Sequence, residues 1–185
     1  MIVDRQQEHS MIIRKEKSSD VDAITEVTVA AFKNHPISQH TEQFIIQALR
    51  DAGVLTLSLV AEIDERIVGH VAFSPVVIRP KRNSEGTTDS TLNWFGLGPV
   101  SVLPEYQKQG IGSALIREGL SRIKELGGQG CCLVGNSNYY QRFGFRNYPE
   151  LIYEGIPQEF FLALPFTETI PKGIVLFHEG FSATH

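Results

Sequence analysis

The sequence predicts a mixed α/β fold, in which a mostly antiparallel, twisted sheet carries helices on both of its faces. Two observations lead to this prediction. Strand-like and helix-like apolar patterns follow one another in the order β α α β β β α β α β β. One strand–helix–strand unit, residues 91–135, implies a parallel pair of strands, whereas the other strands can pair antiparallel with a neighbour.

The first half of the chain is predicted to form a strand, two helices and a hairpin. Ser19, with Asp22 three residues later, resembles a capping box and indicates where the first helix starts, and Pro36 breaks that helix. The short turn at Asp64 and Glu65 separates two β-rich stretches. These elements are a strand at 11–17, helices at 18–32 and 41–53, and strands at 54–64 and 65–78.

The second half begins, after a polar loop at 79–90, with a strand that Gly98 and Pro99 interrupt. Such residues within a strand predict a bulge. The apolar period then changes from that of a strand to that of a helix at Gly110. The elements are a strand at 91–104, helices at 110–126 and 136–143, and strands at 131–135, 160–166 and 173–181.

Size and composition indicate a folded protein rather than a disordered chain. The 185 residues are 42% hydrophobic and 21% charged, which is enough for a packed core. We expect residues 1–10 to form a loose arm before a single domain at 11–185. That domain divides into a core at 11–150 and a C-terminal β extension at 151–185.

The charge and the apolar runs exclude several classes of protein. A net charge of −4 argues against a broad basic surface for nucleic acid or for an anionic membrane. No apolar run has the length of a membrane span, and the first residues lack the apolar core of a signal peptide. We therefore expect a cytoplasmic protein with no nucleic-acid or membrane partner.

The two cysteines, Cys131 and Cys132, are neighbours in the chain. Neighbouring cysteines in an extended strand cannot form a disulfide without strain, and without nearby histidines they make a poor metal site. We expect two packed thiols and no metal.

The stretch "PEYQKQGIGSAL" (104–115) carries two glycines directly before a helix, a pattern that often holds phosphate. Leu115 stands where a dinucleotide fingerprint requires a small residue, and no Walker sequence is present. The alternative is Q-x-x-G-x-G, formed by Gln107, Gly110 and Gly112. Glycines let the backbone approach a ligand, and the free N–H groups of the helix start can bind a pyrophosphate.

At this point the sequence resembles a known family. The stretch "VSVLPEYQKQGIGSALI" is similar to the acetyl-CoA-binding motif of the GNAT superfamily of N-acetyltransferases. The stretch "LVGNSNYYQRFGF" resembles that family's fifth strand, the helix after it and the closing Gly-Phe. The resemblance covers about residues 11–150, and "GHVAFSPV", "LGPVSVLPEYQ" and the tail resemble the bacterial YhbS-like group. It implies the GNAT fold, in which strands four and five splay apart.

The resemblance also implies acetyl-CoA as the co-substrate and the residues that hold it. The pantetheine arm would pair with the fourth strand at Val100, Ser101 and Val102, and Asn138 would hydrogen-bond the arm unless it only caps its helix. The pyrophosphate would lie on backbone groups of the loop that consists of Gln107, Lys108, Gln109, Gly110, Ile111, Gly112 and Ser113.

For the chemistry, the resemblance implies that the backbone N–H near Val100 is the oxyanion donor and that Tyr140 is the general acid. A tyrosine has a pKa of ~10 and an alkyl thiol one of ~8.5, so this proton transfer is uphill by roughly 2 kcal/mol. The alternative is that Tyr140 only packs beside the cofactor. Tyr139 is expected to pack inward.

The general base is less defined. Many relatives place a glutamate on strand four, where this sequence has Asn93 and no glutamate. His70, in the central hairpin, is our tentative base because an imidazole pKa of ~6.5 suits the task; the alternative is a structural, hydrogen-bonded histidine. His35 is a weaker candidate, and His178 is expected to be structural.

The sequence therefore predicts an N-acetyltransferase that moves an acetyl group from acetyl-CoA to a primary amine of a small molecule by direct attack in a ternary complex. A protein acetyltransferase and a non-catalytic acyl-CoA-binding module are the alternatives, and a homodimer is a further expectation. Residues 32–45 and 79–90 are expected to form the acceptor pocket. His35, His40 and Glu42 permit a polar amine there, and Phe32 and Phe44 permit an aromatic one.

Overall fold

The computed structural model of the protein describes residues 10–80 and 92–185. It contains the predicted strands and helices and one additional short strand. The strands are β1 (Met11–Lys15), β2 (Leu57–Ile63), β3 (Arg66–Arg79), β4 (Trp94–Val102), β5 (Gly130–Val134), β6 (Leu151–Ile152), β7 (Phe161–Pro165) and β8 (Gly173–Leu176). The helices are α1 (Val21–Phe32), α2 (Glu42–Asp51), α3 (Ile111–Glu125) and α4 (Ser137–Tyr140).

The eight strands form one sheet in the order β1-β2-β3-β4-β5-β7, with β8 paired to the far end of β3 and to β6. The β2–β3 hairpin is confirmed, and its turn uses left-handed conformations at Asp64 and Glu65. Among the described strands only β4–β5 and β6–β8 are parallel, so the prediction of a mixed, mostly antiparallel sheet is confirmed.

β4 is the strand whose irregularities position the site. Its register against β3 shifts between Val71 and Phe73, which confirms the predicted bulge at Gly98 and Pro99. Its parallel pairing with β5 extends only from Trp94 to Gly96 within the described residues. The remainder of β4 therefore has no ladder partner on the side of β5, which is the predicted splay.

Helices cover both faces of this sheet, as predicted. α3 packs on β2, β3 and β4 on one face, and α1 packs on β3 and β4 on the other. α3 lies close to the sheet because Gly119 has no side chain; a Cβ there would overlap the ring of Phe73. On the opposite face, the hydroxyls of Thr28 and Ser101 lie 3.3 Å apart, which joins α1 to β4.

The predicted start of the first helix is wrong. A 3₁₀ turn, Ser18–Asp20, precedes α1, and Ser19 caps nothing. The carboxylate of Asp20 instead accepts a hydrogen bond from the backbone N–H of Lys17 at 2.7 Å. Arg14 on β1 holds this carboxylate, with Nη1 2.6 Å from its Oδ2. The hydrogen bond from Arg14 lowers the pKa of Asp20, so the acidic residue is fixed as an anion at the entry to the helix.

The C-terminal extension packs on the same sheet. Val175, Phe161 and Leu151 form an apolar cluster with Trp94 of β4 and Cys132 of β5. Both cysteines are buried free thiols, as expected, and burial raises the pKa of each thiol. Among the described residues, no helix is both long and apolar enough to cross a membrane, and no cluster could hold a metal ion.

Two expectations concern residues beyond this description. The predicted N-terminal arm falls almost wholly on residues 1–9, and most of the predicted loop at 79–90 falls on residues 81–91. Both stretches lie outside the described residues.

Candidate active site

A cleft of about 580 Å³ opens between α3 and α4, over the half of β4 that has no partner on the side of β5. This volume lies within the usual range for small-molecule sites. It brings together most of the residues that the sequence predicted. Its lining residues are Val100, Val102, Tyr106, Gln107, Lys108, Gly110, Ile111, Gly112, Ser113, Tyr139, Tyr140 and Arg142.

One end of the cleft is the glycine loop and the start of α3. Lys108 and Gly110 have left-handed backbones, with φ of 61° and 85°. Gln107 turns back and donates from Nε2 to the carbonyl of Val102 at 2.9 Å. Gln109 does the same to the carbonyl of Glu105 at 3.1 Å and does not line the cleft. These side chains hold the loop in shape, and the first N–H groups of α3 have no partner within the helix.

The strand edge of the cleft is Val100–Val102. The side chains of Val100 and Val102 face the cleft, whereas Ser101 points to the other face and is buried. The backbone of this segment pairs with β3 on one side only within the described residues. It leaves backbone donors and acceptors available to an extended ligand.

Tyr140 forms the opposite wall. Its ring packs against the end of β5, where a Cβ at Gly135 would lie 2.5 Å from Cε2 of the tyrosine. It contacts the ring of Tyr139 edge to face, with centroids 4.9 Å apart. Burial, with smaller contributions from Tyr139 and Cys131, raises the pKa of Tyr140 to about 12. The hydroxyl therefore stays protonated at neutral pH.

Sequence reasoning missed the role of Arg142 and misjudged Tyr139. Tyr139 does not pack fully inward; it lines the cleft, and its hydroxyl lies 3.5 Å from Oγ of Ser113 on α3. Arg142 donates from Nε to the carbonyl of Tyr139 at 2.8 Å and stacks over that ring at 4.3 Å. The spacing of three residues, typical of side chains on one helix face, could have indicated this pair.

Comparison with known proteins decides the family. Residues 55–147 match the family model described as "Acetyltransferase (GNAT) domain". The chain is 34% identical to the uncharacterized N-acetyltransferase YhbS of Escherichia coli over 136 residues, 73% of each chain. The chain belongs to the GNAT family of acetyltransferases.

Two solved GNAT structures resemble the whole fold. One is a GNAT family acetyltransferase from Brucella melitensis in complex with acetyl-CoA, with a TM-score of 0.78 and 45% identity. That match covers 94% of this chain and 99% of the other. The second is Escherichia coli YhbS in complex with CoA, with a TM-score of 0.80 and 28% identity over 95% of this chain and 93% of that chain.

Besides Ser101 and Gln109, two further predicted site residues lie outside the cleft. Asn138 is exposed, and its backbone N–H is capped by Oδ1 of Asn136 at 2.9 Å, so Asn136 rather than Asn138 is the helix cap. Contact of Asn138 with a cofactor stays a prediction. His70 is fully buried and lies on the sheet face that α1 covers, opposite Ser101 of β4.

His70 belongs to a chain of polar groups that joins β3 to α2. Its Nε2 lies 2.7 Å from Oγ of Ser58, and Ser58 donates a hydrogen bond to Oε2 of Glu16. Arg50 of α2 holds this carboxylate with two hydrogen bonds of 2.9 Å each. Burial raises the pKa of Glu16, but the bonds from Arg50 and Ser58 outweigh it and lower the pKa overall. Glu16 is therefore an anion at neutral pH.

The number of protons available to this series of hydrogen-bonded groups determines the tautomer of His70. The ionised Glu16 can only accept, so the single hydroxyl proton of Ser58 goes to it. His70 must then donate from Nε2 to Ser58, which leaves the lone pair on Nδ1. That Nδ1 atom is buried without a hydrogen-bond partner among the described residues. Burial lowers the pKa of His70 to about 4, so the ring is neutral at physiological pH.

Proposed function

We propose that this GNAT protein transfers the acetyl group of acetyl-CoA to a primary amine of a small molecule by direct attack. The observation that carries the proposal is a single cleft that joins an unpaired strand edge, a glycine loop at a helix start and a partly buried, protonated tyrosine. The relatives crystallised with acetyl-CoA and CoA support the choice of co-substrate. Acetyl-CoA supplies an activated acetyl thioester.

The residues of the cleft suit the pyrophosphate, the arm and the thioester of that molecule. The loop from Gln107 to Ser113 offers backbone N–H groups for the pyrophosphate, and left-handed Gly110 lets the backbone approach it. The edge at Val100 and Val102 offers an extended ladder for the amide-containing arm. The N–H near Val100 would stabilise negative charge that develops on the thioester oxygen.

Tyr140 is the proposed proton donor to the departing sulfur. With its pKa at about 12, donation to a thiol of ordinary pKa ~8.5 is uphill by about 5 kcal/mol. The same burial that raises the pKa of the tyrosine also raises that of a sulfur beside it, which reduces the difference. A proton donor must be protonated before the reaction, and the hydroxyl of Tyr140 meets this requirement at neutral pH.

His70 remains the proposed base. It would pass the proton on to other groups rather than stay protonated itself. An ammonium of pKa ~10 is about 6 units above the His70 value of about 4, so full transfer to the ring costs about 8 kcal/mol. In a relay, Nδ1 accepts a proton while Nε2 passes its own to Ser58 and on to Glu16. Because release of that proton to water at pH 7 completes the transfer, the net cost is that of deprotonating the ammonium, ~3 units or roughly 4 kcal/mol. Glu16 lines a surface cavity of about 260 Å³, where the proton can leave to solvent.

An amine panel with free CoA as readout tests the function, with Tyr140→Phe as the variant and Tyr139→Phe as the matched control. Loss of a positioned acid lowers kcat by about 100-fold or more. We expect that loss in Tyr140→Phe with unchanged acetyl-CoA affinity, and a much smaller effect in Tyr139→Phe. Wild-type kcat in Tyr140→Phe would contradict the acid role. Turnover with peptides alone would favour the protein acetyltransferase, and acetyl-CoA binding without any turnover the binding module.

A further inference from the structure

The sheet face opposite α3 carries a row of three small residues on β4: Gly96, Gly98 and Ser101. Gly96 lies opposite Ser74 of β3, and Ser101 lies opposite His70. Cross-strand partners point to the same face, so this row and the two β3 residues share one surface. The row runs past the bulge to the position next to Val100, the proposed oxyanion donor.

Both ends of the row are covered. At Gly96, the ring of Phe177 lies so close that a Cβ would be 2.5 Å from its Cε1. At Ser101, the hydroxyl lies 3.3 Å from Thr28 of α1, and the serine is 2% exposed. The C-terminal segment therefore closes one end, and α1 closes the other.

The middle of the row is open. A Cβ built at Gly98 meets no heavy atom of the described residues within 4 Å. We call this opening the Gly98 recess; along β4 it lies between Gly96, which Phe177 covers, and Ser101, which α1 covers. The acetyl group proposed at Val100 is two residues along the same strand, so the recess is the approach to it from the face opposite α3.

Polar atoms without partners accompany the recess on β3. Oγ of Ser74 and Nδ1 of His70 are buried, and neither has a hydrogen-bond partner among the described residues. Both residues belong to the face of the recess, on either side of the β3 position nearest to Gly98. Both atoms are closed off from solvent, so they do not line the recess themselves; they make the sheet face beneath it polar.

The wall at Phe177 is aromatic and partly exposed. Phe177 contacts Tyr153 at 5.1 Å and Phe181 at 5.0 Å between ring centroids, both edge to face. Tyr153 in turn packs on the buried Phe161 at 5.6 Å. The ring is thus held by its neighbours, and a held ring presents a fixed surface for stacking.

We propose that Phe177 selects the acceptor, and that the acceptor is a primary amine whose other end is an aromatic ring packed against Phe177. The inference rests on the proposed function and goes further by naming the substrate class and a residue that determines it. The amine end lies toward Val100 and His70, and the ring end lies toward the C-terminal segment. Phe177 contacts substrate but moves no proton.

The test compares 2-phenylethylamine with n-butylamine, two primary amines that differ mainly in the ring. We expect wild type to favour the aromatic amine in kcat/KM by roughly tenfold, the size of one good aromatic contact. Phe177→Ala should remove this preference, and Phe177→Tyr, which keeps the ring, should retain it. Phe160→Ala removes an exposed phenylalanine, 44% accessible, and should change nothing. Acetyl-CoA affinity should be equal in all four proteins.

A preference for n-butylamine in wild type, or an unchanged ratio in folded Phe177→Ala, overturns the proposal. Thermal unfolding establishes that the variant is folded, and Phe177→Leu replaces it if it is not. Binding of 2-phenylethylamine to the CoA-loaded protein, followed by saturation-transfer NMR, separates this inference from the proposed function. Binding to wild type and not to Phe177→Ala supports the acceptor site even without turnover; absence of binding to wild type overturns it.

Discussion

At the scale of single residues, one hydroxyl proton determines the state of the site's buried histidine. Ser58 has a single proton, which it donates to Glu16, so Nε2 of His70 must donate to Ser58. The sequence predicted His70 as a base candidate from its residue type. It could not predict the tautomer, because Ser58 lies on β2 and Glu16 follows β1, both distant from His70 in the sequence.

The depressed pKa of His70 predicts how stability depends on pH. The ring is neutral in the folded protein down to about pH 4, whereas in the unfolded chain it protonates near 6.5. Between these values the unfolded state binds the extra proton, so stability is complete above pH 6.5 and falls as the pH drops toward 4. The loss is about 3 kcal/mol. Urea unfolding measured from pH 7 to pH 4 checks this.

His70→Gln is the variant for that measurement, since it keeps an N–H donor for Ser58 but does not titrate. Its stability should change little between pH 6.5 and 5, where wild type already declines. A wild-type slope in the variant would mean that another group titrates. The same variant tests the relay: its kcat with a good acceptor should fall at least tenfold, and an unchanged pH–rate profile would exclude His70 as the base.

At the scale of the elements, the sequence correctly predicted the features that depend on glycine and proline. The features that it predicted wrongly or missed depend on contacts between segments that are distant in the chain. The bulge at Gly98 and Pro99 and the start of α3 at Gly110 followed from residue type alone. The predicted start of the first helix was wrong because Arg14, which lies on β1, holds the carboxylate of Asp20. The cover of Phe177 over Gly96 was not predictable, since β8 pairs with β3 about a hundred residues away in the chain.

Because α3 packs closely on the sheet at Gly119, we expect that adding a single methyl group there lowers the stability of the protein. Gly119→Ala should destabilise the protein, because overpacking against the buried Phe73 costs ~1–3 kcal/mol, more than the ~1 kcal/mol that alanine gains over glycine in a helix. Ser121→Ala, at an exposed position of the same helix, is the control and should stay within ~0.5 kcal/mol of wild type. Chemical denaturation measures both; a Gly119→Ala protein more stable than wild type would show that α3 moves freely.

At the scale of the whole molecule, the strands that the structure describes leave one gap inside an otherwise paired sheet. β4 and β5 join only from Trp94 to Gly96, while β5 continues its pairing with β7. The predicted parallel pair and the resemblance to the GNAT family anticipated this gap. The depth of the cleft beside it required the position of α4, which no local pattern determines.

The gap predicts that CoA stabilises the fold, because a ligand that pairs with β4 binds only the native sheet. At 100 times its Kd, such a ligand adds about 2.7 kcal/mol, which corresponds to a rise in Tm of roughly 5–10 °C for a chain of this size. Differential scanning fluorimetry with and without CoA measures the shift. Gly112→Val, which would crowd the loop near the Tyr139 hydroxyl, should abolish it, whereas an equal shift in that variant would place the ligand elsewhere.

On the path proposed for the arm, the short β4–β5 ladder would also limit the length of the acyl group. An arm that enters at the glycine loop and runs along Val102 to Val100 has its acyl end directed toward Gly96. There the strands rejoin through the Gly96–Cys132 pair. The distance along β4 from Val100 to this junction is four residues, or about 13 Å. Each added carbon brings the end of an acyl chain closer to the hydrogen-bonded ladder, so the position of the ladder would set the longest acyl group that can be transferred.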